Sequence, residues 1–306
     1  MDLTRVDPRL REATRRTPSL DLENPVVRFL AGNLSRLMRG TAVDGVERRV
    51  ERIGASRVRV YTPETPTGAA LLWIHGGGLV LGAAAMDDVL CGETARQLGI
   101  AVVSVDYRLA PRHPFPAALD DGHDAWEWLV RNAAALGVDA GRIAVGGQSA
   151  GGGLAANLVQ RLHDEGAQVA AQWLFCPMLD DRTAADRAHD AEGHLVWNNR
   201  SNLVGWSSYL GDRVGAAELP RYAAAARRED LSGLPPTWIY TSDIELFFAE
   251  DTAYASRLRD AGVDVTLDVV SGAPHGFEGW AADSEPATEL LKRARTWLGS
   301  RLGSGR

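Results

Sequence analysis

The sequence predicts an α/β domain in which a mostly parallel β-sheet is covered by helices on both faces. After Val46, short β-rich runs recur along the chain, and windows with helical periodicity separate the later ones. A Gly-x-Ser-x-Gly motif centred on Ser149 stands directly between one apolar run and one helical window. With 306 residues, of which 45% are hydrophobic, the chain is long enough to bury a large core.

The elements follow from periodicity and from turn residues. The predicted strands are residues 46–53, 58–61, 70–74, 101–105, 143–146, 170–175, 237–241 and 265–270. The helical windows between or after them are residues 116–136, 150–163, 250–261 and 285–302. Pro116 at the start of the first window and Gly137 after its end are typical helix-boundary residues.

Two segments depart from this alternation. Residues 1–45 contain a helical patch at 25–38 and no clear strand. The apolar residues that share one face of this patch are Val26, Phe29, Leu30, Leu34 and Leu37. Residues 181–225 are rich in aromatic side chains but contain no run typical of a buried strand. We expect residues 1–45 and 181–225 to form a helical cap, and residues 46–180 and 226–306 to form the core.

Charge and cysteine content exclude several classes of protein. The formal net charge is −7 and the chain has no basic block, which argues against a nucleic-acid partner. Cys91 and Cys176 cannot make a disulfide framework, so a reducing compartment suits the chain. The charged first residues are not typical of a signal peptide. We therefore expect a cytoplasmic protein.

The uncharged stretch at residues 65–86 is long enough to span a bilayer. It contains His75 and three successive glycines, whose backbone groups would need partners within the lipid. A buried strand followed by a glycine loop explains the stretch better. We therefore expect a soluble protein with no membrane association.

The sharpest motif is Gly147-Gln148-Ser149-Ala150-Gly151. A serine on a tight turn from strand to helix needs small neighbours, and its hydroxyl then projects from the sheet edge. A glycine-rich phosphate loop is the alternative, but the lysine of a P-loop and the dinucleotide-binding spacing are both missing. The context therefore predicts that Ser149 is a nucleophile.

The second motif, His75-Gly76-Gly77-Gly78, follows the predicted strand at residues 70–74. Glycines let backbone N–H groups approach a developing oxyanion closely. We expect Gly76, Gly77 and Ala150 to supply these donors. No second ligand stands at metal-binding spacing from His75, so we expect no metal and assign His75 a role in shaping the loop.

A general base and an acid should follow the nucleophile along the chain. Among seven histidines, only His275 lies beyond the last predicted strand, in Pro274-His275-Gly276-Phe277. Two carboxylates, Asp243 and Glu245, follow the predicted strand at residues 237–241. Either could orient the imidazole, and spacing alone does not choose between them.

These motifs together resemble the hormone-sensitive-lipase-like branch of the α/β-hydrolases, which includes the bacterial family IV carboxylesterases. The resemblance covers most of residues 46–300. Besides the motifs above, it rests on Asp106-Tyr107-Arg108-Leu109-Ala110-Pro111 and Phe115-Pro116-Ala117-Ala118-Leu119-Asp120-Asp121. It implies an α/β-hydrolase fold with an eight-stranded sheet and a helical cap, ester hydrolysis without a cofactor, and a homodimer.

The resemblance also bears on the acid. The family commonly has an Asp-x-Leu-x-Asp-Glu pattern there, and its best match in this chain is residues 245–250. This match places Glu245 at the acid position, as a glutamate in place of aspartate, with Asp243 as the second choice. Two departures from the family pattern matter. Gln148 replaces an aspartate before the serine, and Ala249 replaces the second aspartate of the acid motif.

The function predicted on these grounds is a serine carboxylesterase that hydrolyses short-chain esters through an acyl-enzyme. An amidase or acyl-transferase with the same triad remains an alternative, and so does a non-catalytic ligand-binding protein on the same fold. The partner is a small-molecule ester. The predicted acyl-pocket residues are Trp197, Leu203, Trp206 and Tyr209, although these side chains could instead form the core of the cap.

Overall fold

Eight strands form one sheet in a computed structural model of the protein. The structure describes residues 3–17, 20–36, 38 and 40–303, without the side chains of Asn33 and Arg36. The strands are β1 (Val46–Ile53), β2 (Ser56–Pro63), β3 (Ala70–Ile74), β4 (Ala101–Asp106), β5 (Ile143–Gln148), β6 (Ala171–Phe175), β7 (Thr237–Ser242) and β8 (Val265–Val270). Their order is β1-β2-β4-β3-β5-β6-β7-β8, and only the β1–β2 and β2–β4 pairs are antiparallel. The predicted α/β-hydrolase architecture is confirmed.

Helices cover both faces of this sheet. They are α1 (Arg11–Arg16), α2 (Pro25–Arg36), α3 (Asp88–Leu98), α4 (Ala117–Asn132), α5 (Ala150–Asp164), α6 (Asp181–Ala185), α7 (Asn199–Leu210), α8 (Phe248–Asp260), α9 (Phe277–Trp280) and α10 (Glu285–Leu302). Alternate residues of β3 face opposite layers. Leu72 and Ile74 belong to the core cluster that includes residues of α4, α5 and α8. Leu71 and Trp73 belong to the cluster that includes residues of α3 and α10.

Helix α3 is one of the helices that sequence patterns did not predict. Its centre carries Gly92, which lowers helix propensity. A Cβ added at Gly92 would lie 2.6 Å from Val43 Cγ2, so the glycine allows a close approach between α3 and the chain before β1. A residue that weakens the local helical signal is therefore required by the tertiary packing.

Residues 1–45 and 181–225 contain no strand within the residues described. Val6 and Leu10 are buried in the same core cluster as residues of α10. The apolar face of α2 points outward instead: Val26 is 62% exposed and Leu34 is 69% exposed. That face therefore forms no core of a cap, and Leu37 lies outside the described residues.

The parallel strands place their carboxyl ends at one edge of the sheet. The predicted functional residues follow the carboxyl ends of β3, β5, β7 and β8, and such ends form the usual ligand-binding edge of an open α/β sheet. Within the described part of the chain, no helix has the length and apolar character needed to cross a membrane.

Candidate active site

Ser149 occupies a strained turn between β5 and α5. Its backbone has φ +54° and ψ −122°, a conformation that costs a non-glycine residue roughly 1–3 kcal/mol. The turn requires glycine at both flanking positions, because backbone atoms occupy the space that a side chain would need. A Cβ added at Gly147 would lie 2.3 Å from the carbonyl oxygen of Gly151, and one added at Gly151 would lie 2.1 Å from that of Ile74. Larger residues at these two positions would collide with the chain itself.

Three side chains from separate loops form one chain of hydrogen bonds. The hydroxyl Oγ of Ser149 lies 2.8 Å from His275 Nε2. On the other side of the ring, Nδ1–H donates to Glu245 Oε2 at 2.5 Å. Ser149, Glu245 and His275 are all buried. The structure thus brings together the predicted nucleophile, base and preferred acid.

The two carboxylates after β7 have different partners. Glu245 Oε1 accepts hydrogen bonds from Thr241 Oγ1 at 2.8 Å and from the Ser242 N–H at 3.1 Å, which leaves Oε2 directed at His275. Ala249, the residue that departs from the family pattern, is exposed on α8. The carboxylate of Glu245 is therefore held by the end of β7, and position 249 takes no part in holding it.

Asp243 is exposed and supports the loop that carries the histidine. It accepts hydrogen bonds from Ser271 Oγ and from the Gly272 N–H, each at 2.7 Å. The Gly272 carbonyl accepts in turn from the Asp7 N–H at 2.9 Å. This second carboxylate thus fixes the backbone three residues before His275 and links it to the N-terminal segment.

The predicted oxyanion donors lie beside the nucleophile. A Cβ added at Gly76 would be 3.5 Å from Ser149 Cβ. The N–H groups of Gly76, Gly77 and Ala150 make no hydrogen bond to any residue that the structure describes. Ala150 is the first residue of α5, where helix geometry leaves N–H groups unpaired. These groups are available to a ligand.

His75 shapes this loop, as its position in the sequence suggested. Its Nδ1–H donates to the Gly76 carbonyl at 2.7 Å, and its ring stacks on Tyr107 with centroids 4.3 Å apart. Tyr107 also donates from its hydroxyl to the His75 carbonyl at 3.2 Å. Burial lowers the pKa of His75, which favours the neutral ring. The ring acts as a rigid support beneath the glycines.

The four predicted pocket residues do not share one environment. Trp197 lies over residues 75–78, named the oxyanion loop after their predicted role. A Cβ added at Gly78 would meet the Trp197 ring at 2.0 Å, and the ring centroid is 6.5 Å from that of His275. Trp206 and Tyr209 pack on each other with centroids 6.3 Å apart, and Tyr209 also contacts Phe115 at 5.6 Å between centroids. Leu203 is half-buried on α7. Of the four, Trp197 is the one in ring contact with the triad.

Cys176 also lies beside the triad. Its sulfur and one donor atom each of Glu245 and His275 lie within 4.8 Å of one another, a grouping that could suggest a metal site. Both ring nitrogens of His275 are already hydrogen-bonded, and burial raises the pKa of the Cys176 thiol well above its usual value. A neutral thiol and a fully engaged imidazole are a poor donor set for a metal ion.

Sequence reasoning missed the buried carboxylate beside Gln148. Glu278, on α9, accepts a hydrogen bond from Gln148 Nε2 at 2.7 Å and one from the Tyr240 hydroxyl at 3.1 Å. Its distance of three residues from His275 was a signal of proximity, but nothing in the pattern showed that its side chain turns back towards the nucleophile.

Comparisons with known proteins agree with this geometry. A family model described as alpha/beta hydrolase fold matches residues 71–279. Esterase LipI of Mycobacterium tuberculosis is 34% identical over 246 residues, which cover 78% of this chain and 76% of that protein. An ethyl acetate hydrolase of Pseudomonas putida is 36% identical over 248 residues, covering 76% and 75%. The solved structure of a bacterial heroin esterase superposes with a TM-score of 0.91 at 36% identity, covering 99% of each chain.

Proposed function

Because the chain belongs to the α/β-hydrolase fold family, in its hormone-sensitive-lipase-like branch, we propose that it is a serine carboxylesterase that cleaves short-chain esters through an acyl-enzyme. The observation that carries the proposal is the continuous hydrogen-bonded chain from Ser149 through His275 to Glu245. It lies beside backbone N–H groups that have no other acceptor among the described residues.

Acylation begins when Ser149 Oγ attacks the ester carbonyl carbon and passes its proton to His275 Nε2. Glu245 accepts from Nδ1–H and stabilises the imidazolium that forms. The N–H groups of Gly76, Gly77 and Ala150 bind the oxyanion, and each such donor contributes about 3–4 kcal/mol in comparable enzymes. The C–O bond to the alcohol then breaks, and the leaving alkoxide takes the proton from Nε2.

Deacylation repeats these steps with water as the nucleophile. His275 Nε2 removes a proton from the water as its oxygen attacks the acyl carbonyl. The tetrahedral intermediate uses the same N–H donors and collapses to release the carboxylic acid, and Ser149 regains its proton from His275. No step requires a cofactor.

Trp197 supports the preference for short acyl chains. The ring lies against Gly78 of the oxyanion loop and close to His275, so it occupies space next to the position of the substrate carbonyl. A bulky side chain at this position limits the length of the acyl chain that can bind.

The proposal includes the homodimer that the resemblance implies. Among the residues described, strand β8 ends the sheet and pairs with β7 alone, and Val269 on it is 45% exposed. An edge strand of this kind presents unpaired backbone groups to a second strand. Light scattering on purified protein tests the oligomeric state, and Val269→Lys should favour the monomer.

The test of activity is a panel of chromogenic esters of increasing acyl length, run on wild type and on Ser149→Ala. We expect the highest kcat/KM on short acyl chains and a loss of about 10⁴–10⁶ in turnover for the alanine variant. A phosphonate probe should label wild type at Ser149 and leave Ser149→Ala unlabelled. Near-wild-type hydrolysis by the variant would overturn the assignment.

The same panel separates the alternatives. Matched anilides in place of esters would reveal an amidase, and an added alcohol acceptor would reveal acyl transfer by forming a new ester. A folded wild type that neither hydrolyses any substrate nor reacts with the phosphonate would favour a ligand-binding protein.

A further inference from the structure

Gln148 contacts three of the loops that form the site. It precedes Ser149, and its Oε1 would lie 2.8 Å from a Cβ added at Gly76, so the amide packs on the oxyanion loop. Its Nε2 donates to Glu278 Oε1 at 2.7 Å. The same nitrogen would lie 3.3 Å from a Cβ added at Gly276, beside the histidine. One side chain therefore touches the turn at Ser149 (the nucleophile turn), the oxyanion loop and the loop at residues 271–276 that carries His275 (the histidine loop).

Glu278 is held in place from two sides. It is 3% exposed, and its carboxylate accepts from Gln148 at Oε1 and from the Tyr240 hydroxyl at Oε2. Tyr240 lies on β7, the strand that leads to Glu245. The hydrogen bonds thus run from the strand of the acid, through the helix after His275, to the residue before Ser149.

We propose that Gln148 and Glu278 are positioning residues, which align the nucleophile, the oxyanion loop and the imidazole through their shared hydrogen bond. The inference rests on the proposed function, because it concerns the alignment of that same triad. It gives Gln148, a departure from the family pattern, a specific partner. An aspartate at position 148 would place a second acid opposite the buried Glu278, whereas a glutamine amide supplies a donor.

Alignment matters because the reacting atoms have little tolerance. Ser149 Oγ and His275 Nε2 are 2.8 Å apart, and a displacement of about 1 Å in such a site can cost roughly 10²-fold in rate. The glycines that flank Ser149 pack closely on neighbouring backbone, whereas His275 reaches the site from a separate loop that must be held against this turn. The hydrogen bond between Gln148 and Glu278 connects the residue before Ser149 to the helix that follows His275.

The charges around Glu278 determine how the pair responds to pH. Besides its two hydrogen-bond donors, Glu278 interacts electrostatically with His275, Cys176 and Asp87. Burial raises its pKa, and the bonds from Gln148 and Tyr240 oppose that rise. A carboxyl at position 148 and that of Glu278 would both be protonated at low pH, would share one proton as the pH rises, and would repel each other once both ionise.

The first variant is Gln148→Met, which keeps the length of the side chain and removes the donor. We expect kcat to fall about 10- to 100-fold with KM nearly unchanged, and the rate of phosphonate labelling of Ser149 to fall by the same factor. The matched control is Gln160→Met, another glutamine on the β5–α5 unit. Its amide is buried and bonds the Ala225 carbonyl and the Tyr254 hydroxyl, away from the site. It should lose thermal stability and keep kcat.

The second test exchanges the partners. Gln148→Glu should lose activity increasingly as pH rises, because the two carboxyls ionise against each other. Adding Glu278→Gln restores one donor and one acceptor to the pair, and the new amide oxygen can still accept from Tyr240. At high pH, kcat of the double variant should be at least tenfold higher than that of Gln148→Glu. This change is comparable in size to the cost of misalignment given above. A side chain with a merely structural role would not produce this rescue.

The outcomes are distinct from failure of the proposed function. If wild type hydrolyses esters and Gln148→Met keeps kcat within about twofold, the inference is wrong and the esterase assignment stands. A double variant no better than Gln148→Glu would also overturn it. If Gln148→Met fails to fold, the exchange series alone decides. Absence of ester hydrolysis and of phosphonate labelling in wild type would remove both proposals together.

Discussion

The acid and the base at the edge of the sheet differ from the side chains of residues 194–209 in how their polar atoms are satisfied. At the edge, both carboxylate oxygens of Glu245 and both ring nitrogens of His275 have protein partners. In residues 194–209, several buried side-chain atoms have no protein partner within the described chain. They are His194 Nδ1, Trp197 Nε1, Asn199 Oδ1, both amide atoms of Asn202, Trp206 Nε1 and the Tyr209 hydroxyl.

From this difference we expect the sheet edge to determine turnover and residues 194–209 to determine substrate preference. The sheet edge holds its reacting groups with its own hydrogen bonds, so their geometry does not depend on what is bound. In residues 194–209, the buried atoms named above have no partner among the described residues, although Asn199 Nδ2 and the Ser201 N–H are hydrogen-bonded. Substitutions at the edge should therefore change turnover, and substitutions in the segment should change which ester is preferred.

The largest expected effect distinguishes the two carboxylates at the edge. Glu245→Gln should lower kcat by about 10⁴, because the amide no longer stabilises the imidazolium or holds its tautomer. Asp243→Asn keeps an acceptor for the Gly272 N–H and should lose far less. Both are measured on one ester, with circular dichroism to verify folding. A severe loss confined to Asp243→Asn would transfer the acid role to that residue.

A smaller effect is expected in the segment above the edge. Trp197→Ala removes the ring that lies against Gly78, so the ratio of kcat/KM for decanoate over butyrate esters should rise about 10- to 200-fold. Trp297→Ala, which removes a half-buried tryptophan on α10, is the control and should leave the ratio unchanged. An unchanged ratio in Trp197→Ala would place the acyl group elsewhere.

The smallest effect concerns Glu250, which joins the two regions. It lies on α8 and accepts from the N–H groups of Leu179 and Asp180 and from the Thr183 hydroxyl, just before and within α6. Burial raises its pKa from 4.5 to about 8. The folded protein therefore keeps a proton that the unfolded chain loses, and the free energy of unfolding should fall as pH rises from about 4.5 to about 8.

Glu250→Gln removes this titration and keeps an acceptor for the two N–H groups. The free energy of unfolding of the variant, measured by urea titration from about pH 5 to about pH 8, should depend less on pH than that of wild type. Equal slopes for the two proteins would show that Glu250 does not titrate in this range.

Local signals were sufficient for the sheet. Strands β1, β3 and β8 have the predicted bounds, and each is followed within two residues by a glycine, at Gly54, Gly76 and Gly272. The nucleophile turn was also readable, since the glycines at 147 and 151 are demanded by backbone contacts that belong to any such turn. These features depend on short stretches of chain.

Features that depend on distant contacts were not predictable. Helix α3 contains Gly92, which the close contact with Val43 requires. The exposed apolar face of α2 has the periodicity of a buried helix face. The choice between Asp243 and Glu245 rests on partners at residues 271–275, which no spacing within one loop reveals. Glu278 turns back to Gln148 across 130 residues.

The link between the N-terminal segment and the histidine loop has a consequence for local opening. The Asp7 N–H donates to the Gly272 carbonyl, and the Gly272 N–H donates to Asp243. Exchange of the Asp7 amide hydrogen for deuterium requires the N-terminal segment to separate from Gly272, and exchange of the Gly272 amide hydrogen requires loss of its bond to Asp243. Slow exchange at these two amides therefore measures the free energy needed to release the backbone before His275 from its two supports, separately from unfolding of the whole sheet.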